Sequence, residues 1–308
     1  VIAFLFPGQG SQAVGMGQKL VEEFPEARAV FEEADDALGA SLSRLISEGP
    51  AETLTLTEHT QPAILTMSTA AYRVLSRRGF EPAMVAGHSL GEYSAHVAAG
   101  TMAFADAVRL VRNRGRYMQE AVPVGSGAMA AILGLDVEGV AAACAEAAQG
   151  EVVSPANLNA PGQVVIAGAA AAVARAMERA KALGAKRAIP LQVSAPFHCA
   201  LMKPAEERLA PELRGLAVSD PRVPVVANVD AEPRTTAAAS IDALIRQISA
   251  PVRWEDTMRR LVADGVTGFV EVGPATVLCG LGRKVARDAR FANFQSPEDL
   301  SMFAELFA

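Results

Sequence analysis

Cysteine is scarce in this chain. Cys144, Cys199 and Cys279 are odd in number and far apart, with no C-x-x-C pair, which excludes both a disulfide framework and a thiolate zinc site. The four histidines are scattered and form no H-E-x-x-H, so no metal enzyme is expected. Basic charge is also in deficit, with 28 Lys+Arg against 34 Asp+Glu and a net charge of −6. A general electrostatic nucleic-acid binder needs the opposite sign, so any basic docking surface must be local. No apolar run is fit to span a bilayer. The longest uncharged stretch, Val152 to Ala174, carries Pro155, Asn157, Asn159, Pro161 and Gln163, which hydrocarbon would not tolerate. The apolar Val1–Phe6 has no basic lead and meets Pro7-Gly8 at once, so it reads as a buried strand and not a signal peptide. A cytoplasmic protein with no membrane or nucleic-acid partner is expected.

What the chain has is length and apolar mass. With 308 residues, 51% of them hydrophobic, it is long enough for about two domains and too apolar to be disordered. After the first strand, helical patterns run from Gly15 to Leu38 and, behind Pro62, from Gln61 to Arg78. Ala83–Ala86 is a short buried strand that ends at Gly87-His88-Ser89, and a helix starts at Leu90. Strand, glycine turn and helix in that order mark a mostly parallel α/β sheet. Between about Gly127 and Val193 the pattern changes. A strand at Ala128–Leu133, a helix at Val137–Ala148 and strands at Val152–Asn157 and Val164–Ala167 come first. A helix at Ala171–Leu183 and a strand at Arg187–Val193 follow. That β-α-β-β-α-β order is the ferredoxin-like unit. The expected architecture is an α/β-hydrolase-like large domain over 1–125 and 196–308, with a ferredoxin-like small domain inserted at 126–195.

Gly87-His88-Ser89-Leu90-Gly91 carries the strongest chemical signal. A G-x-S-x-G between strand and helix is a nucleophile elbow, and the helix N-terminus behind it offers backbone N–H groups to an oxyanion. Ser89 needs a base. His59 sits among polar residues and is expected to be exposed; His88 points elsewhere on the turn; His96 lies two turns along the same helix. His198, in Ser194-Ala195-Pro196-Phe197-His198 just after the inserted segment, is the candidate. No acid stands where a hydrolase triad would place it, since neither Asp106 nor Asp136 follows a late core strand. A Ser-His dyad oriented by a main-chain carbonyl is therefore expected.

Arg114 stands out by phase. On the helix from Asp106 to Ala121 it falls amid Ala107, Leu110, Val111 and Met118, opposite Arg109, Arg112 and Arg116. A buried guanidinium requires a partner: either an internal salt bridge or, beside a nucleophile, a substrate carboxylate. Gly8-Gln9-Gly10-Ser11-Gln12-Ala13 fits G-x-G-x-x-A, but Val30–Ala34 continues a helix where a dinucleotide site needs a second strand ending in an acid. That loop can instead offer the Gln9 N–H to an oxyanion. Cys199 is assigned to packing, and Glu271-Val272-Gly273-Pro274 to a strand end. Asn228 and Gln247 receive no role from composition.

Together these segments resemble the malonyl-CoA:acyl carrier protein transacylase family over nearly the whole chain. The likeness runs through Phe6–Gln12, Gly87–Ser94, Arg114-Gly115, Asn159–Gln163, Ser194–His198 and Glu271–Pro274. The resemblance implies ping-pong transfer of malonyl from malonyl-CoA to the phosphopantetheine thiol of an acyl carrier protein, through an ester on Ser89 with His198 as base. It implies an oxyanion hole from the N–H groups of Gln9 and Leu90, carboxylate binding by Arg114, and orientation of His198 by the Gln247 main-chain carbonyl. CoA enters as a substrate thioester; no cofactor or metal is implied, and a monomer is expected. In related acyltransferases Phe before the histidine accompanies malonyl and Ser accompanies methylmalonyl, so Phe197 favours malonyl. Ala275-Thr276 replace the family's more usual Gly-Lys. Arg283, Lys284 and Arg287, or Lys181, Lys186 and Arg187, are candidates for docking an acidic carrier protein. A serine hydrolase on the same elbow and a non-catalytic docking module are the alternatives.

Overall fold

β1 (Ile2–Phe6) forms where the apolar run predicts it. Its alternate side chains enter two different cores: Phe4 and Phe6 face one, Ala3 and Leu5 the other. Both faces of this sheet are thus covered, which is why the strand reads as continuously apolar. The structure, a computed structural model, describes residues 1–307.

The helical pattern after β1 resolves into α1 (Gln18–Glu23) and α2 (Pro25–Leu38), broken at Phe24 where Pro25 opens the second helix. Two short helices follow that the sequence reading missed, α3 (Leu42–Glu48) and α4 (Ala51–Thr55). α5 (Thr57–Arg77) begins a turn before the expected Gln61, with Pro62 inside it. That first turn is held by the His59 and Thr60 N–H groups, both 2.8 Å from the Leu56 carbonyl, and by the Thr60 hydroxyl, 2.6 Å from the Leu54 carbonyl. Pro62 therefore forgoes one helix bond without ending the helix. β2 (Met84–Gly87), α6 (Leu90–Ala98) and α7 (Phe104–Glu120) come next.

The change of pattern near Gly127 is a second sheet. β3 (Gly127–Leu133), α8 (Val137–Ala148), β4 (Val153–Ala160), β5 (Gln163–Ala169), α9 (Ala170–Ala182) and β6 (Arg187–Pro190) form it. The order is β4-β5-β3-β6, antiparallel throughout. The β4–β5 strands run longer than expected and leave a two-residue turn at Pro161-Gly162, where Gly162 takes φ +67°. β6 stops short of the expected Val193: Leu191 makes one more bond to Met129, and then the chain folds back through a Val193–Leu191 bond. One face of this sheet packs Ala130, Ile132, Val164 and Ile166 under α8 and α9. The opposite face, with Met129, Val165 and Ala167, joins the main core.

The chain then adds α10 (Lys203–Arg214), β7 (Val225–Val226), β8 (Pro233–Arg234), α11 (Ala237–Gln247) and α12 (Trp254–Ala263). β9 (Gly268–Val272), α13 (Val277–Val285), β10 (Arg290–Phe294) and α14 (Leu300–Phe307) complete it. The first sheet has the order β10-β9-β1-β2-β7-β8, parallel except for the β7–β8 pair. β1 and β2 lie side by side in its middle, so the loops after them meet at one edge.

Candidate active site

The turn after β2 places Ser89 at φ +52°, ψ −108°, a conformation non-glycine residues seldom hold. Its neighbours leave no room for side chains. A Cβ on Gly87 would stand 1.9 Å from the Gly91 carbonyl, and one on Gly91 would stand 2.0 Å from the Phe6 carbonyl oxygen. The elbow is thus wedged against β1. Asn228 braces it from the other side: its Oδ1 accepts the Ser89 N–H at 2.7 Å and its Nδ2 donates to the Gly87 carbonyl at 2.7 Å.

Ser89 Oγ lies 2.6 Å from His198 Nε2, and His198 Nδ1 lies 3.0 Å from the Gln247 main-chain oxygen. A carbonyl only accepts, so Nδ1 carries the proton and Nε2 is left to take one from the serine. Gln247 is the last residue of α11, and its carbonyl belongs to the negative end of that helix. No carboxylate takes part. Asp106 pairs with Arg109, and Asp136 caps α8. Burial, and next the Arg114 cation, push the imidazole down to about 3, so it stands neutral at pH 7 and able to accept a proton.

Arg114 is 2% exposed, as its helical phase predicts. Its Nη1 donates to Gln61 Oε1 at 2.7 Å; its Nη2 donates to Gln247 Oε1 at 2.9 Å and to Ser89 Oγ at 3.2 Å. The Tyr93 ring lies beneath the guanidinium at 5.1 Å, and Nε has no partner. The internal salt bridge is not what the sequence has built: the hydrogen-bond partners are two amides and a hydroxyl. A desolvated cation without a bonded counter-ion, beside a serine hydroxyl, can take an anion as its partner.

Gln9 and Leu90 line the same cavity of about 150 Å³ as Ser89, Arg114 and His198. The Gln9 loop lies directly on the elbow, since a Cβ on Gly8 would stand 2.5 Å from the His88 carbonyl oxygen. Among the described residues, neither the Gln9 nor the Leu90 N–H makes a backbone or side-chain hydrogen bond. The far wall comes from the second sheet and the strand leaving it, through Met129, Asn157, Leu191 and Val193, with Phe197 beside the histidine.

Residues set aside from the sequence behave as expected, with one exception. His88 bonds Asn159 at 2.8 Å and packs on Trp254, His96 is buried against Thr101, and the Cys199 thiol is buried and pushed up to about 11. The exception is His59, which is half-buried instead of exposed. Three supporting residues were not found by sequence reasoning: Gln61, Asn228 and Glu92. Glu92 lies within the elbow segment on α6 and is completely buried, with burial pushing its carboxyl up to about 7. A signal for it existed, because position 92 is one helical turn from the nucleophile and so faces inward with it. Gln61 and Asn228 carried none.

A serine hydroxyl aligned with an imidazole, on a glycine-flanked strand-to-helix turn of a mostly parallel sheet, defines a nucleophilic-serine architecture. Residues 3–295 match the family described as "Acyl transferase domain". The chain is 53% identical over 305 residues to the malonyl CoA-acyl carrier protein transacylase of Escherichia coli (strain K12), covering 99% of both. The crystal structure of an acyl carrier protein S-malonyltransferase from Vibrio cholerae superposes with a TM-score of 0.96 at 50% identity, over 98% of this chain and 99% of that one. A malonyl-transacylase solved in complex with its type II PKS acyl-carrier protein superposes with a TM-score of 0.96 at 49% identity, over 99% of each chain. This chain belongs to the acyl transferase domain family, among the malonyl CoA-acyl carrier protein transacylases.

Proposed function

We propose that this chain transfers malonyl from malonyl-CoA to the phosphopantetheine thiol of an acyl carrier protein through a malonyl ester on Ser89. The observation that carries the reading is Arg114: a buried cation, bonded only to neutral groups, with Nη2 3.2 Å from the nucleophile's oxygen. An acyl group with a carboxylate at its far end is the donor such a site fits.

Ser89 Oγ attacks the thioester carbonyl as His198 Nε2 takes the hydroxyl proton. The oxyanion forms against the Gln9 and Leu90 N–H groups, and the malonyl carboxylate pairs with Arg114. Collapse breaks the C–S bond, and His198 returns the proton to the departing CoA sulfur. The carrier's thiol then repeats the sequence in reverse: it gives its proton to His198, attacks the ester, and Ser89 recovers its hydrogen. The chemistry needs no cofactor beyond the CoA thioester, which is substrate.

Residues 1–125 and 196–308 act as one α/β-hydrolase-like domain and 126–195 as an inserted ferredoxin-like domain. The β-α-β-β-α-β order of the second sheet supports this assignment. The protein works in the cytoplasm, and no helix among the described residues is long and apolar enough to cross a membrane. One chain supplies every group invoked, so a monomer suffices. A hydrolase reading gains no support, since no acid orients His198.

Intact-protein mass spectrometry tests the proposal. One malonyl adduct is expected after malonyl-CoA, moving to holo acyl carrier protein when that is added, and none on Ser89→Ala. An adduct that persists on the Ser89 variant, or that leaves the enzyme without reaching the carrier, would overturn it.

A further inference from the structure

Beneath the serine and arginine lies a buried acid that the transfer steps do not use. Glu92 is 0% exposed, and its two oxygens differ in their surroundings. Oε2 accepts Gln247 Nε2 at 2.7 Å and the Asn228 N–H at 3.1 Å, whereas Oε1 has no partner. The Gln247 amide is the link between this acid and the site. Its nitrogen donates to Glu92 and, at 2.9 Å, to the Ser89 carbonyl; its oxygen takes the Arg114 Nη2 hydrogen at 2.9 Å.

An amide has two faces of opposite character, and its neighbours decide which way it turns. Here Glu92 Oε2, which already accepts the Asn228 N–H, and the Ser89 carbonyl, which only accepts, oppose a guanidinium, which only donates. Turning the amide over would set oxygen against oxygen on one side and N–H against N–H on the other. We propose that Glu92 is a positioning residue for the substrate carboxylate: by holding the Gln247 amide nitrogen at Oε2, it turns the amide oxygen to Arg114 and keeps that guanidinium beside Ser89. This inference rests on the reading of Arg114 as the malonyl carboxylate's partner.

The indirect arrangement has a chemical logic. A carboxylate bonded straight to Arg114 would neutralise it and compete with the incoming malonyl anion. An interposed amide restrains the cation without occupying it with a charge. What matters is an acceptor at Oε2 and not the charge itself. Asn228 and Gln247 both donate to that oxygen, so a glutamine at position 92 must present its oxygen there too.

The test compares two acylating agents in stopped assays of CoA or p-nitrophenolate release: malonyl-CoA, and p-nitrophenyl acetate, an uncharged ester that needs Ser89 and His198 but no carboxylate site. E92L, and E92D with its acceptor withdrawn by one methylene, should lose roughly 10- to 100-fold in malonyl-CoA kcat/KM while the ester reaction stays within about threefold. E92Q should stay within about threefold for both reagents. R114A serves as reference and should show the same selective loss. If E92L fails to fold, E92D and E92Q carry the test. Equal losses on both reagents in E92L or E92D would make Glu92 a brace for the elbow and overturn the inference. A selective tenfold loss in E92Q would overturn it as well. Selectivity in R114A but not in E92D would remove this inference alone; its absence in R114A would remove the Arg114 reading and this inference together.

Discussion

Replacing Arg114 by alanine puts the substrate reading to its most direct trial. The guanidinium is 2% exposed and bonded to Gln61, Gln247 and Ser89. A malonyl carboxylate entering the variant would sit in a small cavity walled largely by Met118, Met129, Val193, Leu90 and Phe197 and meet no cation. Leaving a desolvated charge unpaired costs about 2–5 kcal/mol. At about 1.4 kcal/mol per tenfold, that is a loss of roughly 30- to several-thousand-fold in kcat/KM for malonyl-CoA. Acetyl-CoA carries no such charge and loses only the Nη2 contact to Ser89 and some packing, which amounts to about tenfold or less. Arg114→Lys keeps the charge but cannot reach both amides at once, so its loss should fall between wild type and alanine. Single-turnover release of CoA from the two donors, compared as a ratio, is the assay. Losses equal within about threefold for malonyl and acetyl would return Arg114 to a structural role.

Other expectations follow from neighbouring groups. Phe197, 9% exposed and on the cavity wall, should admit an α-methyl when shortened: Phe197→Ser should raise methylmalonyl-CoA acylation relative to malonyl-CoA by about tenfold, within the range a methyl group commands in a fitted pocket. An unchanged ratio would place the limit elsewhere. Burial and the Arg114 cation hold His198 at about 3, so its base form persists on acidification until pH approaches that value. Acylation should therefore show no ordinary histidine limb, keeping most of its pH 7 rate at pH 5; half-loss between pH 6 and 7 that persists in E92Q, which removes the Glu92 carboxyl held at about 7, would contradict the depressed imidazole. The structure gathers the basic segments around Lys284 and Arg187 at one end of the second sheet. Lys284 bonds Gln163, which pairs with Leu133, which in turn pairs with Arg187. Affinity for an acidic carrier protein should weaken with added salt, by several-fold across roughly one Debye-length halving, and a salt-independent Kd would rule that surface out.

The legible parts of the sequence were those with local periodicity. Short apolar runs bounded by glycine turns located β1, β2 and the second sheet's strands, and helical phase alone put Arg114 indoors. The elbow was readable because sterics restrict what can stand at positions 87 and 91. Boundaries failed where tertiary bonds overrode local rules. Thr60 and Leu56 extend α5 past Pro62 toward its N-terminus, and α3 and α4 are too short to show a period. Asn228 and Gln61 were illegible for another reason. Each is a single polar residue whose meaning lies in contacts with Ser89, 139 positions away, and with Arg114, 53 positions away. No spacing within one element records such a meeting.

Because the acceptor behind His198 is a peptide oxygen at the end of α11, it has neither a titration nor a side chain of its own. Acid cannot silence it as it would an aspartate, and exchange of the Gln247 side chain leaves the atom in place. Genetic drift at that codon can loosen Arg114 yet cannot delete the histidine's orienting bond. Only moving the helix end would do that, so the imidazole's tautomer is inherited with the fold itself.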